Sequence, residues 1–327
     1  MRLLVYEPAY RRLEAEIAAH GDVIEPLLMD ASGAVTLRGE GLASEAVRPD
    51  VGWVNGDLFG AKAFRAYLAA LLNAPALKWV QSGAAGVDHP IFRQILEKGV
   101  RFTTSHGQAV GIAEYVIAGA MDALQNGPQR RAAQTAGKWQ RIDFREVGGT
   151  HWLVVGFGAI GQGVAERARA LGATITGVRR SGSPHPAAHA MATLGDLPGR
   201  VGDADVIVLC CPLTDETRHI ADAALFAAMK PGAILVNVGR GGLVDEAALL
   251  AALDRGTPER AILDVFETEP LPVDSHFWTH PRVALTAHAS GATAGQETRN
   301  DAIFLDNLGR YLAGQPLRHE LTSATTL

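Results

Sequence analysis

Short apolar runs alternate with stretches of helical periodicity along most of the 327 residues. Runs of four or five consecutive apolar residues predict buried strands, and apolar residues three or four apart predict helices. The predicted strands are residues 3–6, 51–54, 79–82, 152–155, 174–178, 206–209, 234–238 and 283–286. The predicted helices are residues 10–19, 109–124, 160–171, 246–254 and 301–312. Continuously apolar strands separated by helices are typical of an α/β protein whose parallel sheet is covered on both faces.

Two polar segments interrupt this pattern. We interpret residues 125–150 as a linker with a turn of helix around residues 130–136, and residues 181–192 as a surface loop. A single hydrophobic core stops growing at about 250–300 residues, so a chain of this length favours two domains.

The composition is that of an ordinary soluble protein, with 47% hydrophobic and 20% charged residues. A net charge of -5 argues against nucleic acid or an anionic membrane as the main partner. The two cysteines, Cys210 and Cys211, are adjacent, which excludes a disulfide framework, predicts no metal site and fits a reducing cytoplasm. Neither a signal peptide nor an apolar run of about 20 residues is recognisable, so we expect a cytoplasmic protein.

A glycine-rich loop carries the clearest chemical signal. Residues 151–155 predict a buried strand, Gly156-x-Gly158-x-x-Gly161 follows at once, and residues 160–171 predict an amphipathic helix. In dinucleotide sites the first glycine makes the turn, the second admits the pyrophosphate, and the third allows close helix–strand packing. The helix N-terminus adds N–H groups for the phosphates. This context favours a dinucleotide site over a purely structural turn, and its predicted contacts are Gly156, Phe157, Gly158, Ala159, Ile160 and Gly161.

The end of the next strand selects the dinucleotide. An Asp or Glu at this position would bind the ribose 2′-hydroxyl of NAD, but the sequence has Arg179-Arg180-Ser181 there. Guanidinium groups pair well with phosphate oxygens, so the sequence predicts NADP, with NADPH preferred over NADH. The alternative is a pair of solvated surface arginines.

Three downstream segments follow apolar runs and contain candidate catalytic residues. They are residues 237–245 with Arg240, residues 263–270 with Glu269, and residues 285–291 with His288. Taken singly, each residue has an ordinary structural explanation: a surface ion pair, a turn carboxylate and a buried histidine, respectively.

Taken together and in this order, the segments resemble the D-isomer-specific 2-hydroxyacid dehydrogenases. Further resemblance lies in residues 211–214 (Cys-Pro-Leu-Thr), in residues 82–88 (Ser-Gly-Ala-Ala-Gly-Val-Asp) and in residues 112–115. Two positions depart from the family pattern: Ala287 replaces the usual proline before the histidine, and Arg179 replaces the usual aspartate. No motif is recognisable before about residue 75.

The resemblance implies reduction of a small 2-oxo acid, such as glyoxylate or hydroxypyruvate, to the D-2-hydroxy acid. It makes His288 the acid and base, places Glu269 on its other ring nitrogen, and gives Arg240 the substrate carboxylate. The same carboxylate would be held by backbone N–H groups of Gly83 and Ala84. Asp264 would accept a hydrogen bond from the nicotinamide carboxamide. Beyond the glycine loop, the implied cofactor contacts are Arg179, Arg180, Ser181, Cys211, Pro212, Thr217, Val238, Gly239, Asp264, His288 and Ser290.

The implied architecture is two Rossmann- or flavodoxin-like α/β domains with doubly wound parallel sheets. A cofactor domain of residues 104–291 would be inserted into a discontinuous substrate domain of residues 1–103 plus 292–327, and the resemblance implies a homodimer. Three alternatives remain: a corepressor-like dinucleotide-sensing protein, a dehydrogenase for bulkier 2-oxo acids, and an enzyme acting on formate or phosphite. Asn55 and His106 are candidates for substrate contact or for purely structural roles.

Overall fold

A computed structural model describes residues 1–86 and 89–321. By their internal contacts the residues form two compact units. Unit 1 comprises Met1–Gln108 and Ala294–Leu327, and unit 2 comprises Ala109–Thr293. The sequence-based borders after residues 103 and 291 lie a few residues before these.

The elements alternate between strands and helices over most of the chain. The strands are β1 (Arg2–Tyr6), β2 (Glu25–Met29), β3 (Val35–Leu37), β4 (Glu40–Leu42), β5 (Val51–Val54), β6 (Trp79–Ser82), β7 (Arg101–Thr103), β8 (His151–Val155), β9 (Thr174–Val178), β10 (Ala190–Ala192), β11 (Val206–Leu209), β12 (Ile234–Asn237), β13 (Arg260–Leu263) and β14 (Val283–Leu285). The helices are α1 (Glu7–Arg12), α2 (Glu14–Ala18), α3 (Phe64–Asn73), α4 (Pro90–Glu97), α5 (Ala109–Leu124), α6 (Gly127–Thr135), α7 (Ala159–Ala170), α8 (Ala223–Ala228), α9 (Glu246–Arg255) and α10 (Gln296–Leu312).

Unit 1 is built on a sheet with the strand order β4-β3-β2-β1-β5-β6-β7. Strands β2, β1, β5, β6 and β7 are parallel, and β3 and β4 form an antiparallel extension at one edge. The late helix α10 belongs to this unit, because Phe304 stacks on Trp53 of β5 with ring centroids 4.1 Å apart. The unit therefore closes its core with segments from both ends of the described chain.

Unit 2 is built on a parallel sheet with the strand order β10-β9-β8-β11-β12-β13-β14. Its first six strands follow the doubly wound order of dinucleotide-binding folds, with β8 as the first strand. Strands β11 and β12 are buried along their whole lengths, which explains their continuous apolar runs. The prediction of two parallel-sheet α/β domains is confirmed.

Two local predictions are wrong. The helix predicted over residues 10–19 is two short helices, α1 and α2, which break at Leu13, where φ is -119° and the side chain is buried. The segment 181–192 is not entirely a loop, because its last three residues form β10 and pair with β9. In addition, strands β2, β3, β4, β7, β10 and β13 and helices α3, α4 and α8 were not predicted.

Among the described residues, no helix has both the length and the apolar character that a membrane crossing requires.

Candidate active site

The glycine loop joins β8 to α7, and its three glycines differ in their surroundings. Gly156 has a φ of +101°, and a Cβ there would lie 2.4 Å from the backbone nitrogen of Cys211. A Cβ at Gly161 would lie 2.1 Å from the carbonyl oxygen of Gly156, so helix and strand approach closely. A Cβ at Gly158, the residue preceding α7, would meet no atom within 4 Å. The loop thus leaves open space above a helix N-terminus, which fits a pyrophosphate.

The two cysteines lie next to Gly156 of this loop. The Cys210 thiol donates a hydrogen bond to the carbonyl of Gly156 at 3.0 Å, and burial raises the pKa of this thiol. Burial also raises the pKa of Cys211 to about 11. Both side chains are therefore neutral thiols at physiological pH, and their role in the loop is packing and hydrogen bonding.

The arginine pair after β9 is divided between two environments. Arg179 donates from Nη2 to the carbonyl oxygens of Ser183 and Pro184 at 2.7 and 3.4 Å, and its buried Nε has no hydrogen-bond partner. Arg180 and Ser181 are exposed. Arg179 thus braces the loop after β9, whereas Arg180 offers its guanidinium to solvent.

The Arg240 loop follows β12 and is braced by Asn237. The Asn237 amide donates to the carbonyl of Arg240 at 3.0 Å and accepts from the N–H of Gly239 at 3.1 Å. Arg240 itself is half-buried and donates to the carbonyl of Gly239 at 2.7 Å. A Cβ at Gly241 would lie 1.8 Å from the carbonyl carbon of Phe266, so this loop packs directly against the segment that carries Glu269.

His288 and Glu269 form a hydrogen-bonded pair. The distance between His288 Nδ1 and Glu269 Oε2 is 2.7 Å, and Glu269 Oε1 accepts from the N–H of Phe266 at 3.0 Å. The His288 side chain is 51% exposed, and its Nε2 makes no hydrogen bond to any described residue. The carboxylate therefore fixes one ring nitrogen and leaves the other available for proton transfer.

Asp264 organises the loop that presents His288. Its buried carboxylate accepts hydrogen bonds from the Thr286 hydroxyl at 2.6 Å, from the N–H of Ala289 at 2.8 Å, and from both the N–H and the hydroxyl of Ser290. The N–H of His288 donates to the Asp264 carbonyl at 2.8 Å, and φ of His288 is +49°, in the left-handed region. The carboxylate oxygens are thus already engaged within unit 2, and the structure gives Asp264 a positioning role. The predicted contact with the nicotinamide carboxamide stays a prediction.

The remaining predicted cofactor residues line neighbouring strand ends. Thr217 Oγ1 donates to the carbonyl of Pro212 at 2.7 Å and accepts from the N–H of Thr214 at 2.7 Å, which closes the turn after β11. Val238 follows β12 and is buried, with its N–H donated to the carbonyl of Leu209. These segments meet at the carboxyl edge of the unit 2 sheet, where open α/β sheets bind ligands.

Sequence reasoning missed a second histidine–glutamate pair in unit 2. His219 Nε2 lies 2.7 Å from Glu267 Oε1, and the N–H of Glu267 donates to Glu246 Oε1 at 2.8 Å. Burial raises the pKa of Glu246, and the nearby carboxylates of Glu267 and Glu269 raise it further. In the sequence, Glu267 stands two residues before Glu269, but this position does not indicate that His219 is its partner.

In unit 1, the two amides predicted to hold the substrate carboxylate are already used. The N–H of Gly83 donates to the carbonyl of Val54 at 2.7 Å, and that of Ala84 donates to the Ser82 hydroxyl at 3.1 Å. The next amides of this loop, of Ala85 and Gly86, donate no hydrogen bond to any described residue. Residues 87 and 88 of the predicted motif lie outside the described part.

The two candidate substrate contacts of unit 1 differ in surroundings. Asn55 is fully buried beside Asp57, to which its amide donates at 2.7 Å. His106 packs edge-on against His319, with ring centroids 4.3 Å apart, and burial lowers the pKa of His106 to about 4. His106 is therefore neutral at physiological pH and belongs to the packing of unit 1.

Comparison with known proteins gives a consistent assignment. Residues 117–290 match the model of the D-isomer specific 2-hydroxyacid dehydrogenase NAD binding domain. Glyoxylate/hydroxypyruvate reductase B from Yersinia pestis is 32% identical over 253 residues, covering 74% of this chain and 76% of that protein. An NADPH-dependent glyoxylate/hydroxypyruvate reductase from Sinorhizobium meliloti, solved with NADP and sulfate, has a TM-score of 0.78 at 26% identity, covering 99% of this chain and 98% of that one.

A second group of relatives carries a different name. D-3-phosphoglycerate dehydrogenase from Methanocaldococcus jannaschii is 35% identical over 248 residues, covering 74% of this chain. The match spans only 47% of that relative's length, so the chain corresponds to about half of it.

Proposed function

The chain belongs to the D-isomer specific 2-hydroxyacid dehydrogenase family, and from this premise we propose that it reduces a small 2-oxo acid, of the glyoxylate or hydroxypyruvate type, to the D-2-hydroxy acid with NADPH. The observation that carries the proposal is the pair formed by His288 and Glu269, with the second ring nitrogen of His288 unengaged. When bound, the reduced nicotinamide supplies the hydride for the carbonyl carbon.

His288 supplies the proton in this reaction. Its Nδ1 is held by the Glu269 carboxylate at 2.7 Å, so the proton on Nε2 is the one directed to the carbonyl oxygen as charge develops there. In the reverse direction the same nitrogen accepts the proton of the hydroxyl group. Because His288 stands on a loop tied to Asp264, its position is preset rather than assembled on binding.

Arg240 holds the substrate carboxylate and polarises the carbonyl group. Its planar guanidinium suits two parallel hydrogen bonds to a carboxylate. The hydrogen bond from the Asn237 side chain to the Arg240 carbonyl holds the backbone of this loop in place. Within unit 1, the amides of Ala85 and Gly86 donate no hydrogen bond to a described residue and are candidates for binding a carboxylate, because those of Gly83 and Ala84 are engaged.

The preference for NADPH is supported by the residues after β9. No carboxylate stands at the end of this strand, and Arg180 and Ser181 are exposed where a 2′-phosphate would be bound. The Sinorhizobium meliloti reductase is described as NADPH-dependent and was solved with NADP.

We further propose a homodimer in the cytoplasm. Trp139 is fully exposed and Phe144 is 49% exposed in the segment after α6, and these two large apolar side chains are our candidates for the contact between protomers. The two unpaired thiols fit a reducing compartment. Light scattering after size exclusion tests the assembly, and replacing both Trp139 and Phe144 by lysine is expected to yield monomers.

The catalytic proposal is tested by following NADPH absorbance with glyoxylate and hydroxypyruvate. We expect His288→Gln to lower kcat by at least about a thousandfold, in keeping with the loss of a general acid, with NADPH affinity retained. Arg240→Ala should chiefly raise KM. His276→Gln, the same change at an exposed histidine of unit 2, is the matched control. Wild-type turnover in His288→Gln would refute the mechanism, and NADPH binding without turnover of any 2-oxo acid by the wild type would favour a sensing protein.

A further inference from the structure

The Glu269 carboxylate takes its orientation from a short stretch of backbone in unit 2. Its Oε1 accepts a hydrogen bond from the N–H of Phe266 at 3.0 Å, and its Oε2 lies 2.7 Å from His288 Nδ1. The N–H of Phe266 is therefore the point from which the carboxylate reaches the imidazole ring. A movement of the backbone at Phe266 would turn Glu269, and His288 would lose the alignment that proton transfer requires.

Glu267, the next residue along the chain, ties this backbone to two other segments. Its N–H donates to Glu246 Oε1 at 2.8 Å, at the start of α9. Its side chain pairs with a residue that follows β11, because Glu267 Oε1 lies 2.7 Å from His219 Nε2. The backbone of residues 266–267 is thus held at two points, by a carboxylate through its N–H and by an imidazole through its side chain.

His219 is itself anchored to the loop that carries Arg240. Its N–H donates to the carbonyl of Gly242 at 2.8 Å. The same loop packs on Phe266, since a Cβ at Gly241 would lie 1.8 Å from the Phe266 carbonyl carbon. One side chain, that of His219, therefore connects the backbone of the Arg240 loop with the backbone that orients the carboxylate of the histidine–glutamate pair.

The imidazole of His219 also offsets repulsion between carboxylates. Burial raises the pKa of Glu246, and the nearby carboxylates of Glu267 and Glu269 raise it further, so three acidic groups lie close together. Like charges repel, and a hydrogen-bond donor is needed to keep the Glu267 side chain among them. An ionised carboxylate only accepts hydrogen bonds, so His219 Nε2 carries the proton and supplies this donor.

We propose that His219 is a positioning residue, which holds the backbone that orients Glu269 and so keeps His288 aligned for proton transfer. It acts through Glu267, and Glu246 supports the same backbone through its N–H. Every contact in this chain lies within unit 2. The inference rests on the proposed function and adds to it a residue outside the three segments that carry Arg240, Glu269 and His288.

The test replaces the side chain of His219 without disturbing its backbone. The φ of His219 is +50°, in the left-handed region, which asparagine also tolerates. The asparagine side chain is too short to reach Glu267, whereas a glutamine side chain places an N–H donor near the position of the imidazole Nε2. His219→Asn therefore removes the contact, and His219→Gln is the conservative variant that should restore it.

We expect His219→Asn to lower kcat for glyoxylate by about tenfold, because a displacement of about 1 Å at a reacting group costs up to about a hundredfold. KM for glyoxylate and NADPH affinity should change by less than about threefold, since substrate and cofactor binding do not depend on the alignment of His288. Arg240 keeps its own support from Asn237. His219→Gln should recover most of the lost kcat.

His280→Asn is the matched control. His280 also pairs with a carboxylate of unit 2, its Nε2 lying 3.4 Å from Asp254 Oδ1, but this contact is at the other end of α9 from Glu246. Because it is remote from Glu269, its replacement should leave kcat within about twofold, even if thermal melting shows a loss of stability.

Combining the change with Glu269→Gln separates positioning from a general structural effect. If His219 acts by orienting Glu269, adding His219→Asn to Glu269→Gln lowers kcat by less than about a further twofold, since both changes disturb one step. A loss of about tenfold in both backgrounds is the additive behaviour of independent sites and would overturn the proposal. If His219→Asn does not fold, Glu246→Ala, which removes the second tie to Glu267, takes its place in the same comparison, with Glu246→Gln as its conservative variant.

A second measurement does not depend on turnover. The Nδ1 proton of His288, bound to the Glu269 carboxylate, should give a far-downfield proton NMR signal, identified by its loss in His288→Gln. We expect this signal to broaden by exchange with water in His219→Asn and to return in His219→Gln. An unchanged signal in folded His219→Asn overturns the proposal. If the wild type reduces no 2-oxo acid, the proposed function fails, and the NMR signal alone decides whether His219 holds the pair of Glu269 and His288.

Discussion

Replacing Gly158 by alanine should weaken cofactor binding by at least about a hundredfold without harming the fold. The backbone at this position has φ of -84° and ψ of -160°, which alanine adopts without strain, and the added methyl group meets no atom within 4 Å. Removing glycine from such a position stabilises a protein by about 0.4–1 kcal/mol, because the unfolded chain loses freedom. The expected change in the free energy of unfolding is therefore a small increase.

The loss in binding follows from the same open space. The methyl group would project into the region that we assign to the pyrophosphate, above the N–H groups at the start of α7. Losing two hydrogen bonds to a charged group, each contributing about 1.5–3 kcal/mol, lowers NADPH affinity by at least about a hundredfold. Calorimetric titration with NADPH measures this loss, and urea unfolding measures stability.

Gly161→Ala is the matched control. Its methyl group would lie 2.1 Å from the carbonyl oxygen of Gly156, a backbone atom that cannot rotate away. Overpacking of this kind costs about 1–3 kcal/mol or more, so this variant should lose stability as well as binding. NADPH affinity unchanged in Gly158→Ala, or equal destabilisation in both variants, would refute the assignment of the loop.

Three further predictions concern other positions. Arg180→Ser should weaken NADPH binding by about tenfold or more, through loss of a charge-assisted contact to the 2′-phosphate, and leave NADH binding unchanged; equal weakening in parallel titrations would contradict the role of Arg180. Tyr67→Phe should lower the free energy of unfolding in urea by about 1–3 kcal/mol, since the buried hydroxyl bonds to the carbonyls of Leu4 and Trp53; an unchanged midpoint would contradict this. Burial lowers the pKa of His106 in the folded protein to about 4. Because the unfolded state takes up this proton at a higher pH, about 6.5, the free energy of unfolding decreases as the pH falls from about 6.5 to about 4. His106→Asn should unfold with a shallower pH dependence over that window, and parallel curves for the two proteins would exclude the effect.

The sequence was most informative where local pattern and tertiary role coincide. Strand β8, the glycine loop and α7 follow one another without interruption, so each part could be recognised from its neighbours. Strand β2 was not predicted because Pro26 interrupts its apolar run. The strand is defined by its pairing with β1. Strand β10 is only three residues long, and its pairing with β9 is a contact that no local pattern encodes.

At the site, residue identities were easier to predict than hydrogen-bond partners. Arg240, Glu269 and His288 stand on loops that pack against or hydrogen-bond to one another. Nothing in the sequence indicated that the carboxylate of Asp264 would accept hydrogen bonds from the loop that contains His288. The same holds for Gly83, whose N–H donates a hydrogen bond to the carbonyl of Val54. Backbone hydrogen bonds depend on how the chain turns in three dimensions, and this information is distributed over distant segments.

The discontinuity of unit 1 has a consequence for biosynthesis. Trp53 and Trp79 belong to strands made early, but Phe304, which stacks on Trp53, lies in α10, and all of unit 2 is translated in between. At about 5–20 residues per second, unit 2 takes on the order of ten to forty seconds to emerge. Throughout that interval the apolar face of β5 and β6 lacks its covering helix. The inserted unit can fold as it leaves the ribosome, whereas the unit that surrounds it in sequence has to wait, exposed to chaperones and to other nascent chains.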